Sequence, residues 1–187
     1  MNETYRKMIR CCITDRALGP VERLLPSGGV DWVQIREKEL AARELTLLVR
    51  RVMALPNPHS VKILVNSRVD VAIAAGAGGV HLPAGSIAAC EWKKITPAGF
   101  LIGVSCHFIE DVLRAEAEGA DYVLFGPVFA PISKTSDLAP RGLEELARVS
   151  RVVKIPVLAL GGITWDNAPA CVDAGAAGVA GISLFKT

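Results

Sequence analysis

Eight short runs rich in β-branched and other apolar residues recur along this chain, and a helix-like segment follows each of the first seven. The predicted strands are Arg10–Thr14, Trp32–Arg36, Lys62–Asn66, Gly79–Leu82, Leu101–Ser105, Tyr122–Phe125, Pro156–Leu160 and Gly178–Ser183. The predicted helices are Val21–Leu25, Ala41–Ala54, Arg68–Ala75, Ile87–Ile95, Ile109–Glu118, Gly142–Val149 and Trp165–Ala174. Strands joined by helical crossovers run parallel, because each crossover returns the chain to the same end. Eight of them favour a closed (β/α)8 TIM barrel over a flavodoxin-like open sheet. The predicted fold class is therefore α/β, with one barrel domain over residues 1–187. Only Leu184–Thr187 follows the eighth strand, so the eighth helix is expected to be missing or truncated. Its seam would then be open to solvent or covered by a second copy in a homodimer.

Composition supports a large core and excludes several classes of partner. Apolar residues make up 51% of the chain, and the net charge is +2 from 21 basic and 19 acidic residues. That balance predicts neither a nucleic-acid partner nor an anionic membrane surface, so any anion site is local. No apolar run has the length of a membrane span, and the N-terminal stretch does not read as a secretory signal. A cytoplasmic location is expected. The five cysteines show no metal-ligand spacing and are read as reduced core thiols. The three tryptophans are also assigned to the core.

In such barrels, ligands sit at the C-terminal ends of the strands. Strand two alternates so that Val33 and Ile35 point one way, Gln34 and Arg36 the other. If the apolar pair faces the helices, Gln34 and Arg36 face the barrel mouth, with Lys38 just beyond. An arginine there needs a counter-charge, which an anionic ligand would supply. The competing reading is an ion pair with Glu37 or Glu39. Gly161-Gly162 after strand seven and Ile182-Ser183 at the end of strand eight occupy the usual phosphate-binding corner of the fold. A plain left-handed turn is the alternative reading of the glycines. The long Phe125–Arg141 connection carries Ser133 and Lys134, and the lysine could cover a bound phosphate or simply face solvent. His81 and His107 end strands four and five, as proton-transfer groups or as satisfied wall residues. His59 lies in a Pro-Asn-Pro-His turn and is expected at the surface.

Taken in order, these segments resemble the thiamine-phosphate synthase/TenI family. They include Ile13-Thr14-Asp15, Val33-Gln34-Ile35-Arg36-Glu37-Lys38, Val65-Asn66-Ser67-Arg68-Val69-Asp70 and Gly79-Val80-His81-Leu82. Gly103-Val104-Ser105-Cys106-His107, Ala120–Phe129, Ala159–Ile163 and Gly178–Ser183 continue the series. The resemblance implies that Gln34, Arg36, Lys38, Asn66 and Lys134 hold a pyrophosphate, with Ser133 beside Lys134 and Ser105 near a pyrimidine. It implies that Gly161, Gly162, Ile182 and Ser183 hold a thiazole phosphate. The synthase branch also carries two aspartates that hold Mg2+; here those positions are Ser67 and Ser86. No metal ligand is therefore expected, and Mg2+ enters only if the chain is an active synthase. The histidine that the tautomerase branch uses after strand six is Pro127 here, leaving His81 or His107 for that role. A strand-six threonine of the synthase corresponds to Pro131. The expected function is TenI-like, binding thiazole phosphate or thiamine phosphate in thiamine biosynthesis. An active synthase and a non-catalytic binding protein are the alternatives.

Overall fold

The computed structural model describes residues 8–15, 19–130 and 138–185. Its strands are β1 (Ile9–Ile13), β2 (Trp32–Ile35), β3 (Lys62–Asn66), β4 (Gly79–Leu82), β5 (Leu101–Cys106), β6 (Tyr122–Phe125), β7 (Val157–Leu160) and β8 (Gly178–Gly181). Between them lie α1 (Gly19–Ser27), α2 (Ala42–Met53), α3 (Val69–Ala75), α4 (Ala89–Lys93), α5 (Ile109–Ala117), α6 (Gly142–Val152) and α7 (Ala168–Asp173). All eight strands pair in parallel in sequence order, and β8 returns to pair with β1, closing the barrel. None of the described helices is long and apolar enough to cross a membrane.

The strand pleat divides the apolar side chains into two clusters. Val33, Ile35, Val65, Val80, Ile102, Val123 and Val179 face outward and pack under the helices. Cys11, Ile13, Leu64, Tyr122, Leu124, Leu158 and Ala180 fill the barrel. Helix α2 shows why the outer layer forms: Leu45, Val49 and Val52 lie on one face at near-helical spacing and are all buried.

Some boundaries differ from the sequence reading. Helix α7 begins at Ala168 and not at Trp165, because Thr164 and Asn167 exchange side-chain bonds with each other's backbone N–H (2.9 and 3.3 Å). That turn uses the groups a first helical turn would need. Ile182 and Ser183 lie beyond β8, and Ser183–Phe185 forms a 3-10 turn. Leu184 and Phe185 are buried by the chain itself, with Trp165 edge-on to Phe185 at 5.5 Å. The chain directly after β8 thus forms a short apolar turn.

Two core assignments need correction. Cys90 is exposed, whereas the other four cysteines are buried. Trp165 is 38% exposed, and Trp32 and Trp92 are only partly buried. Trp165 sits in the turn that delays α7, and its indole covers Phe185 without being covered in turn.

Candidate functional site

The C-terminal ends of β1, β2 and β3 carry a linked set of polar side chains. Thr14, buried after β1, donates to Glu37 Oε1 at 2.6 Å and accepts from the Arg36 backbone N–H at 2.9 Å. Arg36 forms an ion pair with Asp15 at 3.7 Å. Among the described residues, the carboxylate in ion-pair range of Arg36 is thus Asp15, whereas the sequence offered Glu37 or Glu39. Both side chains keep about a fifth to a quarter of their surface, at 21% and 24% exposure. Beneath them Gln34, 2% exposed, donates through Nε2 to Asn66 Oδ1 at 2.8 Å. Asn66 Nδ2 in turn donates to Ser67 Oγ at 2.9 Å. Gln34 Oε1 is buried and has no hydrogen-bond partner among the described residues. A buried carbonyl oxygen left this way is costly, and a donor brought by a ligand would relieve it.

Lys38, Asn66, Ser67 and Arg68 line one cavity together with Glu37 and Leu40. Ser67 adopts a left-handed backbone conformation (φ 62°), held by its N–H on His81 O and by Arg68 N–H on Asn66 O (both 2.8 Å). The Arg68 guanidinium is engaged by Asp70 at 2.6 Å. A second cavity lies between the loop after β4 and helix α5. It is lined by Ala84–Ile87, Ser105, Asp111 and Arg114. Ser86 Oγ donates to Pro83 O at 2.9 Å in the wall of this second cavity. The two serines at the resemblance's metal positions therefore line different cavities.

The two candidate histidines occupy unlike settings. His81 is 2% exposed, and both ring nitrogens are engaged: Nδ1 with Tyr122 OH at 3.1 Å, Nε2 with Ser105 Oγ at 2.8 Å. Burial pushes its pKa down to about 3, so the imidazole is neutral near pH 7. Its hydrogen-bonded link to the cavity runs through Ser105. His107 is partly exposed, and its Nδ1 lies 2.6 Å from Gly126 O. A carbonyl can only accept, so Nδ1 carries a proton here, and in a neutral ring the lone pair would lie on Nε2. Asp111 anchors the segment by accepting the His107 and Phe108 N–H groups at 3.0 and 3.1 Å. Burial raises the Asp111 carboxyl, but bonds from the His107 N–H, Arg114 and the Phe108 N–H outweigh it and leave the carboxyl below its usual range.

Gly161 and Gly162 both have left-handed φ values (94° and 63°), as a left-handed turn requires. They serve packing as well. A Cβ on Gly162 would lie 2.4 Å from Ala130 O, and one on Gly161 2.6 Å from Pro127 Cβ. The chain after β6 is laid directly on this turn, with Val128 N–H on Leu160 O and Phe129 N–H on Gly161 O (2.8 and 3.0 Å). Asn167 braces it from below by donating to Gly162 O at 3.0 Å. Ser183 is exposed beyond β8, the neighbour of β7 in the barrel, so its loop leaves beside the glycines. Pro131, Ser133 and Lys134 lie outside the described residues. Sequence reasoning missed the roles of Thr14, Asp15 and Tyr122, because each depends on a partner from another strand.

Comparison with known proteins matches residues 8–185 to the TMP-TENI model, described as thiamine monophosphate synthase. A thiamine-phosphate synthase of Methanoculleus marisnigri is 41% identical, over 91% of this chain and 84% of the relative. One of Albidiferax ferrireducens is 38% identical, over 93% and 80%. Among solved structures, the thiamine phosphate pyrophosphorylase of Pyrococcus furiosus superposes with a TM-score of 0.83 at 34% identity, covering 99% of this chain and 93% of the other. FabK of Thermotoga maritima, at 18% identity and a TM-score of 0.74, shares the fold alone. With a family match over nearly its whole length and synthase relatives well above 30% identity, this chain belongs to the thiamine monophosphate synthase family.

Proposed function

We propose that the protein forms thiamine phosphate from a pyrimidine diphosphate and a thiazole phosphate. In that reaction the bond from the pyrimidine methylene carbon to the diphosphate oxygen breaks, and pyrophosphate leaves with the electron pair. The thiazole nitrogen then bonds to the resulting carbocation. The observation that carries this reading is the Gln34–Asn66 pair at the barrel mouth, with an unmatched Gln34 Oε1, in a chain of this family. Arg36 and Lys38 would neutralise the departing pyrophosphate, with Asn66 donating to it. Lys134 and Ser133 would act from the loop after β6. Ser105 would lie against the pyrimidine. The Gly161–Gly162 turn, Ile182 and Ser183 would hold the thiazole phosphate, whose oxygens suit bare backbone N–H groups.

The family reaction uses Mg2+, and the residues present here do not fit it. The ion prefers carboxylates in its inner shell. Ser67 Oγ accepts from Asn66, Ser86 Oγ donates to a carbonyl, and neither carries charge. No group of three His, Cys, Asp or Glu among the described residues could hold a metal. Charge neutralisation in this reading rests on Arg36, Lys38 and Lys134.

The same two serines favour a second reading, the TenI-like one, in which no pyrophosphate departs. A thiazole carboxylate phosphate would be held at the glycine turn and Ser183. His107 Nε2, with its lone pair in the neutral imidazole, would move the proton that aromatises the ring. The deciding assay incubates purified protein with both synthase substrates, with Mg2+ or with chelator, and measures thiamine phosphate as thiochrome fluorescence. Turnover that survives chelation supports the first reading. No product beside a working synthase control sinks it and sends the test to the thiazole tautomer, where inactivity would leave binding alone.

A further inference from the structure

Inside the barrel, Tyr122, His81 and Ser105 form one hydrogen-bonded line from the buried interior to the cavity wall. Tyr122 OH meets His81 Nδ1 at 3.1 Å, and His81 Nε2 meets Ser105 Oγ at 2.8 Å. Tyr122 has no exposed surface and His81 almost none. Ser105 is partly exposed and lines the cavity beside α5.

Counting protons gives the line a direction. Burial pushes the Tyr122 phenol well above its ordinary range, so it keeps its proton. A neutral imidazole carries one N–H and one lone pair. Among the described residues the partner given to the Tyr122 hydroxyl is His81 Nδ1. A ring proton on Nδ1 would leave the phenol proton buried with no acceptor, the arrangement native interiors avoid. Tyr122 O–H therefore donates to Nδ1, the ring proton sits on Nε2, and Nε2–H donates to Ser105 Oγ. The Ser105 proton is then left over and cannot be given to His81.

We propose that Tyr122 is a positioning residue: acting through the His81 ring, it makes Ser105 a hydrogen-bond donor toward the ligand. The site then selects a ligand atom with an exposed lone pair, such as a pyrimidine ring nitrogen, over an N–H at the same place. The ligand half of this statement rests on the synthase reading above, which places Ser105 against the pyrimidine. The Tyr122 half does not.

Two measurements test the halves separately. In the ligand-free protein, long-range 1H–15N correlation of the imidazoles reports the His81 tautomer, with His81→Gln to assign its signals. An Nε2–H tautomer near pH 7 is expected, and an Nδ1–H tautomer overturns the proposal. Next, a double-mutant cycle of Ser105→Ala and Tyr122→Phe is read by calorimetric affinity for the pyrimidine diphosphate without thiazole phosphate. Ser105→Ala should weaken binding by about tenfold, as for one lost hydrogen bond, and Ser105→Thr should restore it. Tyr122→Phe should weaken binding less, and the double variant no more than Ser105→Ala alone. Additive losses would make Tyr122 merely structural and overturn its role. A wild-type protein that does not bind the pyrimidine diphosphate would overturn the synthase reading and the ligand half, while the tautomer still decides the Tyr122 half.

Discussion

Replacing Gly103 with alanine should unfold part of this architecture from the inside. Gly103 pairs with Tyr122 across the β5–β6 ladder, and the phenol ring lies over the space a side chain would take. A Cβ there would stand 2.0 Å from Tyr122 Cζ and 2.3 and 2.5 Å from its two Cε atoms. The ring is fully buried and meets Trp32 edge-on at 4.7 Å, which limits its retreat. Overpacking of this kind costs about 1–3 kcal/mol. Displacing the ring also breaks the bond to His81, and a buried polar group left unpaired adds about 1–3 kcal/mol. Gly103→Ala should therefore lose about 2–6 kcal/mol, read as a lowered urea midpoint at unchanged slope. Tyr122→Leu removes the ring. Combined with Gly103→Ala it should be more stable than the two single losses predict, by at least about 1 kcal/mol. A Gly103→Ala protein within about 0.5 kcal/mol of wild type, or strict additivity in the pair, would refute the reasoning.

Three further outcomes follow from the same structure. Burial lowers the His81 pKa from 6.5 to about 3, so the unfolded chain takes up a proton that the folded state refuses. This contribution is intact above about pH 6.5 and is lost as the pH falls toward 3; urea unfolding at pH 7 and pH 5 should differ by about 2 kcal/mol, and equal stabilities would refute it. Ser67→Asp with Ser86→Asp should create Mg2+-dependent pyrophosphate binding by calorimetry, at least about tenfold tighter with the ion than without. The left-handed backbone at 67 suits aspartate better than serine, and no gain would count against these serines as the reason the ion does not fit. Iodoacetamide should label the native protein once, at Cys90, because the other four cysteines are buried; mass spectrometry showing a second native label would contradict that packing.

Much of the barrel could be read from the chain because its signals are local. The period-two alternation of Val33-Gln34-Ile35-Arg36 sorts these residues between helix layer and mouth without any knowledge of neighbours. Pairings across strands could not be read this way. Nothing near Arg36 in sequence ranks Asp15 above Glu37, because that choice depends on which strand lies beside β2. The Gly161–Gly162 pair was legible as a turn, but its steric need comes from Pro127 and Ala130, more than thirty residues away. Gly103 carried a faint signal, an inward glycine inside a barrel strand, whose meaning appears only when Tyr122 stands beside it. Trp165 and Cys90 were misplaced because residue type was allowed to stand for burial. An indole can cover another ring while its own outer face stays wet.

The pairing of β8 with β1 also has a consequence for how the chain reaches its native state. Every other strand pair is joined by one crossover, whereas Ile9 must meet Gly178 across almost the whole chain. Closing so long a loop is entropically late, and it rewards nothing until the other seven strands are in place. Until the ring closes, the sheet keeps two bare edges, and parallel edges of this kind invite pairing with another chain. Leu184 and Phe185, buried directly after β8, give the arriving strand an apolar anchor. Polar substitution of Leu184 and Phe185 should therefore show as aggregation during refolding before any loss of ligand binding.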